Sequence, residues 1–204
     1  MSYSEQSICT SEIGLLMAEG IQKVVGKSGY QALDQSVADF LQHHQPASAD
    51  RPFAELTALQ SALEQQFGGS GGRGIALRAG QTAFTSLMHT HENSLGWDKV
   101  QFRMQPTPLR LAGGLKGLAG LLSLLIGTEI AAEKDEHGWR LKTVRCPFCY
   151  HREATESVCH FLLGLVQEYF AWASSGKVYQ VREIECCATG GEACVLFIDK
   201  EPLN

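Results

Sequence analysis

Residues 178–198 read VYQVREIECCATGGEACVLFI, and their spacing predicts a β-hairpin. Polar and apolar residues alternate through the first half, residues 189–192 (TGGE) provide a turn, and an apolar run follows from Cys194 to Ile198. Upstream, residues 139–144 alternate in the same way, which also indicates a half-buried strand. Between these strands, residues 158–172 repeat apolar side chains at helical spacing. The C-terminal region therefore predicts an antiparallel sheet packed with a helix.

The rest of the chain is predicted to be mainly helical. Apolar residues recur at three and four positions in four stretches, which are 12–43 with a break near Gly26, 53–67, 75–91 and 106–126. Residues 68–74 (GGSGGRG) predict a flexible loop or hinge. This order gives an α+β fold class, in which a helical N-terminal part is followed by an antiparallel sheet with helices. We divide the 204 residues into segment 1–70 and domain 71–204, which also fit one continuous domain.

Charge and hydropathy speak against two classes of function. The net charge is −5 and no run of Lys and Arg is present, so we expect no direct binding to nucleic acid. The first residues lack the basic stretch and apolar core of a signal peptide. The most apolar window, 109–130, carries three charged residues and is predicted to be a buried or pocket-forming helix without a membrane span. We therefore expect a cytoplasmic protein.

Six of the seven cysteines lie between Cys146 and Cys194, which favours a metal site. In a reducing compartment such thiols do not form a disulfide framework. The CPFC sequence at 146–149 is a CxxC pair, which is typical of half a zinc site. Cys159 begins the amphipathic helix, and Cys186 and Cys194 are close to cross-strand partners in the predicted hairpin. Two alternatives are an iron–sulfur cluster, whose usual spacing is absent, and cysteines that pack as small apolar side chains.

Glu183 lies on the same strand as Cys186, three residues before it. Strict alternation would place the two side chains on opposite faces of the strand. A bulge around residues 185–187 is needed to bring them together.

Residues 158–170 (VCHFLLGLVQEYF) and 181–198 resemble the vinyl reductase (4-vinyl reductase, hydrocarbon-binding) domain family. The resemblance is carried by Cys159 and by the pattern Glu183-x-x-Cys186-x-Ala-x-Gly-x-x-x-Cys194, and it extends loosely over residues 75–199. The family includes a bacteriochlorophyll-pathway protein assigned to vinyl group reduction, archaeal hydrocarbon-binding proteins and the sensor domains of phenol-responsive activators. It implies the fold of small TRAPP subunits and NO-signalling-like domains, which is usually dimeric.

The resemblance also implies a zinc site and a ligand pocket. In the phenol sensors zinc is held at the positions that match Cys159, Glu183, Cys186 and Cys194, whereas a role for Cys146 and Cys149 stays open. An apolar pocket lies beside the zinc in those sensors, and Trp139 falls near the position of its aromatic residue. Candidate walls, for which packing in the core is the alternative, are Leu115, Leu118, Leu122 and Phe161.

Three functions follow from these observations. The first is a cytosolic, zinc-containing homodimer that binds a hydrocarbon, aromatic or tetrapyrrole-like molecule as a sensor or carrier. The second is an accessory or catalytic component of a pigment-type vinyl reduction, although no nicotinamide or flavin motif is present and no catalytic residue is assigned. His160 could act as a base beside zinc, but a complete shell of three thiolates and one carboxylate leaves no position for water. The third is a TRAPP-like dimeric adaptor, and we expect a binding protein more than an enzyme.

Overall fold

The computed structural model describes residues 7–33 and 50–203, so the predicted helix over residues 34–43 lies outside the described part. The helices are α1 Ser11–Gln31, α2 Phe53–Leu95, α3 Val100–Arg103, α4 Thr107–Ile126 and α5 His160–Ala173. The strands are β1 Ile8–Thr10, β2 Asp50–Pro52, β3 Ile130–Lys134, β4 Gly138–Thr143, β5 Val181–Glu185 and β6 Cys194–Asp199. This mixture of helices and strands confirms the predicted α+β class.

The main sheet has four strands in the order β3-β4-β6-β5, and every neighbouring pair is antiparallel. The hairpin of β5 and β6 pairs Val181 with Ile198, and β4 pairs Thr143 with Cys194. Strands β1 and β2 form a separate two-stranded pair. The strand β3 was not predicted, because its sequence IAAEK has little of the β-branched and aromatic character of a strand.

The predicted loop at residues 68–74 is wrong, because α2 continues through it. The helix changes direction only at Gly68, whose φ of 75° and ψ of 161° are open to glycine. A Cβ added at Gly72 would lie 2.5 Å from the backbone nitrogen of Glu64, so the chain is closely packed across this kink. The helix α2 also crosses residue 70, where we divided the chain, and one core contains residues from both sides.

The helices α2 and α5 touch through glycine. A Cβ on Gly80 would meet the carbonyl oxygen of Phe161, and a Cβ on Gly164 would meet the carbonyl oxygen of Leu77. Such contact requires residues without side chains at both positions. It fixes the axis of α5, and therefore the position of Cys159, directly before the helix.

The helix α4 is long and apolar enough to cross a membrane by length and composition. Half of its most apolar window is buried inside the protein, and its buried side chains include Leu115, Leu118 and Leu122. Its N-terminal end also accepts hydrogen bonds from α5, because the Tyr169 hydroxyl donates to the carbonyls of Arg110 and Leu111 at 3.1 and 2.8 Å. These contacts fit the predicted buried helix.

Candidate metal centre and ligand site

Five cysteines converge on the N-terminal end of α5. Cys146 and Cys149 lie in the loop after β4, Cys159 is the cap residue of α5, Cys186 follows β5 and Cys194 begins β6. Each of the five is at most 3% exposed. The structure thus brings together every cysteine that the sequence assigns to the site, including the CPFC pair.

Their sulfur atoms are in contact without being bonded. The Cys146 and Cys159 sulfurs are 3.4 Å apart, those of Cys149 and Cys194 are 3.3 Å apart, and those of Cys159 and Cys194 are 3.7 Å apart. A disulfide needs ~2.0 Å between the sulfurs. Two thiolates on one tetrahedral zinc ion, each with a Zn–S bond of ~2.3 Å, lie ~3.8 Å apart. The cluster therefore has the dimensions of a metal–thiolate site.

Two groups of four ligand atoms each lie within 4.8 Å of one another. One group contains Cys146, Cys149, Cys159 and Cys194. The other group contains Glu183, Cys186 and again Cys159 and Cys194. The second group has the same members as the ligand set implied by the resemblance.

The carboxylate of Glu183 reaches the site because β5 is irregular. The pairing of β5 with β6 shifts between Glu183 and Glu185, slightly before the predicted position of the bulge. One oxygen, Oε2, accepts a hydrogen bond from the Cys159 backbone N–H at 2.9 Å, where the N-terminal end of α5 favours negative charge. The other oxygen, Oε1, is buried and has no hydrogen-bond partner among the described residues. A metal ion is a suitable partner for such an oxygen.

The electrostatics of the thiols favour one thiolate and resist further ones. Hydrogen bonds, the one with Cys146 first, lower the pKa of Cys149. Hydrogen bonds with neighbouring cysteines, again Cys146 first, together with burial raise the pKa of Cys159 and Cys194 well above the usual range. Burial also raises the pKa of Cys146. Several thiolates can thus coexist here only beside a cation, which reverses this preference.

Side chains of α2 hold the loop that carries the CPFC pair. The Thr57 hydroxyl donates to the Pro147 carbonyl at 2.7 Å, and the Gln60 amide donates to the Val158 carbonyl. Arg152 forms two hydrogen bonds with the Glu64 carboxylate, at 2.6 and 3.2 Å. The sequence analysis missed these supporting residues, because single polar side chains on a helix carry no pattern that points to a loop about 90 residues away.

The predicted pocket residues are part of the core. Trp139, Leu115, Leu118, Leu122 and Phe161 are all buried, and the Trp139 ring contacts Phe170 edge-on with 5.2 Å between centroids. The Trp139 Nε1 donor is buried and lacks a hydrogen-bond partner within residues 7–33 and 50–203. The four cavities that we describe lie elsewhere. The ligand pocket stays a prediction, to which the unpaired indole N–H adds a candidate anchor.

One small cavity opens onto the CPFC pair. Its volume is about 180 Å³, and its lining includes Cys146, Cys149 and Cys187 together with the cationic side chains of Arg145 and Arg152. Cys187 itself is partly exposed, and its backbone N–H donates to the Cys194 sulfur at 3.3 Å. The cavity gives solvent ions a short path to the buried sulfurs.

Comparison with known proteins confirms the resemblance over the C-terminal region. Residues 139–200 match the model of the 4-vinyl reductase domain, the family to which the motif points. No curated protein matches the chain significantly.

Solved structures of H-NOX proteins share the fold. One from S. oneidensis in the Fe(II)NO ligation state has a TM-score of 0.58 at 16% identity, covering 93% of this chain and 98% of its own. An unliganded Fe(II) H-NOX protein from K. algicida has a TM-score of 0.57 at 13% identity, covering 94% and 98%. A structure reported for the modulation of heme redox potential through porphyrin distortion has a TM-score of 0.55 at 13% identity, covering 96% and 97%. These matches confirm the NO-signalling-like fold, and at such identities they show the fold alone.

Proposed function

We propose that this chain, whose residues 139–200 match the 4-vinyl reductase domain, is a zinc-containing binding module for a small apolar molecule. It would act as a cytoplasmic sensor or carrier, as a homodimer, for a hydrocarbon, aromatic or tetrapyrrole-like ligand. The observation that carries the proposal is the convergence of Cys159, Glu183, Cys186 and Cys194, whose ligand atoms lie within 4.8 Å of one another in the matched region.

The residues present fit a structural zinc ion. Three buried thiols and one carboxylate supply four ligands, the number that closes a tetrahedral shell. The unpaired Oε1 atom of Glu183 would gain a partner, and the opposite charge of the ion would stabilise the thiolates. Zinc here would join the start of α5 to both strands of the hairpin. Because Phe161 follows Cys159 by two residues, the same joint would stiffen one wall of the proposed pocket.

The Trp139 indole supports a ligand that carries a hydrogen-bond acceptor. A buried donor without a partner costs about 1–3 kcal/mol, and an acceptor atom on a bound molecule would remove that cost. Phe170 and Tyr179 contact the Trp139 ring with centroids 5.2 and 6.1 Å away, so the surroundings are aromatic. Entry of a ligand requires these side chains and the neighbouring leucines of α4 to move apart.

Native mass spectrometry tests the proposal on protein purified without chelators. The expected species carries zinc and a non-covalent apolar adduct. Trp139→Phe keeps an aromatic ring but removes the N–H, so we expect less adduct and unchanged zinc. Trp172→Phe is the matched control, because Trp172 lies in a separate ring contact with Trp97, and it should keep both.

Three outcomes would contradict parts of the proposal. Protein without any metal would remove the zinc site. An adduct that persists unchanged in Trp139→Phe would remove the indole anchor. A heme adduct, with its strong visible absorption, would replace the zinc-centred module by a cofactor like that named for some structural neighbours.

A further inference from the structure

The two groups of metal-ligating atoms share two members, Cys159 and Cys194. Cys146 and Cys149 complete the group on one side of this shared pair, whereas Glu183 and Cys186 complete the group on the other side. Six ligands with two in common form the pattern of two tetrahedra that share an edge. The shared edge, from the Cys159 sulfur to the Cys194 sulfur, measures 3.7 Å, close to the ~3.8 Å of one tetrahedral zinc site.

A single ion leaves one side of the cluster without a partner. An ion in the group with Glu183 leaves the Cys146 and Cys149 sulfurs buried against the two shared sulfurs, at 3.4 and 3.3 Å. An ion in the group with Cys146 leaves the Oε1 atom of Glu183 buried and unpaired among the described residues. A buried carboxylate oxygen without a partner is expensive. Only an ion on each side satisfies both observations.

We propose that Cys146 and Cys149 bind a second divalent, thiophilic metal ion, which shares the Cys159 and Cys194 thiolates with the zinc ion of the proposed function. The inference rests on that function, since it adds an ion to the same site. Each ion then has four ligands, and two of them bridge the pair.

The charge of such a centre is acceptable in a buried position. Five thiolates and one carboxylate carry six negative charges and two divalent ions carry four positive charges, which leaves a net charge of −2. A single zinc ion with four anionic ligands also carries −2, so the second ion adds ligands without adding net charge. One ion with all six groups ionised would instead leave −4, which burial strongly disfavours.

The surroundings of the second position suit an anionic centre. Arg145 and Arg152 line the cavity that opens onto Cys146 and Cys149, and the Cys187 N–H donates to the bridging Cys194 sulfur. The contacts from Thr57 and Gln60 fix the loop from α2, so that the pair is already placed beside the shared thiolates. Such hydrogen bonds around ligands are typical of metal sites.

Metal content per chain tests the inference. Wild-type protein saturated with zinc should hold two ions, and the double variant Cys146→Ser/Cys149→Ser should hold one. Glu183→Gln/Cys186→Ser should also hold one, whereas Cys159→Ser and Cys194→Ser should lose both. Cys187→Ser is the matched control and should hold two, because its side chain belongs to neither group.

The outcomes separate the inference from the proposed function. One ion in wild type that persists in Cys146→Ser/Cys149→Ser would overturn the second site and leave the proposed function intact. One ion that is lost in this variant but kept in Glu183→Gln/Cys186→Ser would mean a single site of four cysteines, which overturns both. Iron with acid-labile sulfide would also overturn both.

Cadmium exchange provides a test that needs no variant. Wild-type protein loaded with ¹¹³Cd should give two NMR signals of equal intensity that are coupled to each other through the bridging sulfurs. A single signal at saturation, or two signals without coupling, would contradict shared thiolates.

Discussion

The two ends of α5 are stabilised in opposite ways. At the C-terminal end, Tyr169 and Trp172 pack with Phe84, Trp97 and Phe102, with ring centroids 5.2–6.3 Å apart, and the Tyr169 hydroxyl has its hydrogen bonds. At the N-terminal end, thiols that resist ionisation surround a carboxylate oxygen without a partner among the described residues. The aromatic end is complete as protein, whereas the cysteine end gains its partners from metal. The same helix therefore joins a permanent contact to a conditional one.

Loss of metal should affect the cysteine end most, and this is the largest effect that we expect. Cys194→Ser removes a ligand common to both groups, and we predict loss of bound metal and a fall of more than about 3 kcal/mol in the free energy of unfolding. Hydrogen exchange should rise at the start of α5 and in the hairpin, while amides near Tyr169 keep their protection. Denaturant unfolding and exchange measured by mass spectrometry check this prediction.

The control for this variant is Cys187→Ser, which should change the stability little because Cys187 is partly exposed. Equal exchange at both ends of α5 in Cys194→Ser would show that the two ends are one cooperative unit. The contrast between them would then be wrong.

A change in the middle of α5 should have a smaller effect that does not depend on metal. Gly164→Ala places a Cβ against the Leu77 carbonyl of α2, and we expect a loss of about 1–3 kcal/mol from overpacking. Gly120→Ala is the matched control in α4, where a Cβ would meet nothing within 4 Å. There alanine should stabilise the helix by up to about 1 kcal/mol. Thermal unfolding of both variants checks the prediction, which fails if Gly164→Ala is as stable as wild type.

The sequence predicts elements better than it predicts their irregularities. Apolar spacing indicates α4, α5 and the hairpin, because each has one face buried over its length. The stretch 68–74 is rich in glycine, which favours a loop locally, yet contacts across the kink at Gly68 keep it helical. Tertiary contacts of this kind have no signal in the local sequence.

The candidate site shows the same division. The motif indicates the shared residues Cys159 and Cys194, and the resemblance adds Glu183, which alternation alone places on the wrong face of β5. The bulge that corrects this placement depends on the pairing of β5 with β6. The approach of Cys146 to Cys159 depends on contacts of the intervening loop with α2, so spacing leaves the role of the CPFC pair open.

The smallest predicted effect concerns the aromatic end and gives the finest test of the contrast. Tyr169→Phe removes the hydroxyl that donates to Arg110 and Leu111, and we expect a loss of about 1 kcal/mol. Cys159 and Tyr169 are ten residues apart, a distance of about 15 Å along a helix, so the two ends should contribute independently. The loss should therefore be the same in metal-loaded protein and in Cys194→Ser, measured by denaturant unfolding. A loss that disappears in Cys194→Ser would mean that metal also orders the aromatic end, because the hydroxyl contributes only where its acceptors on α4 are held in place.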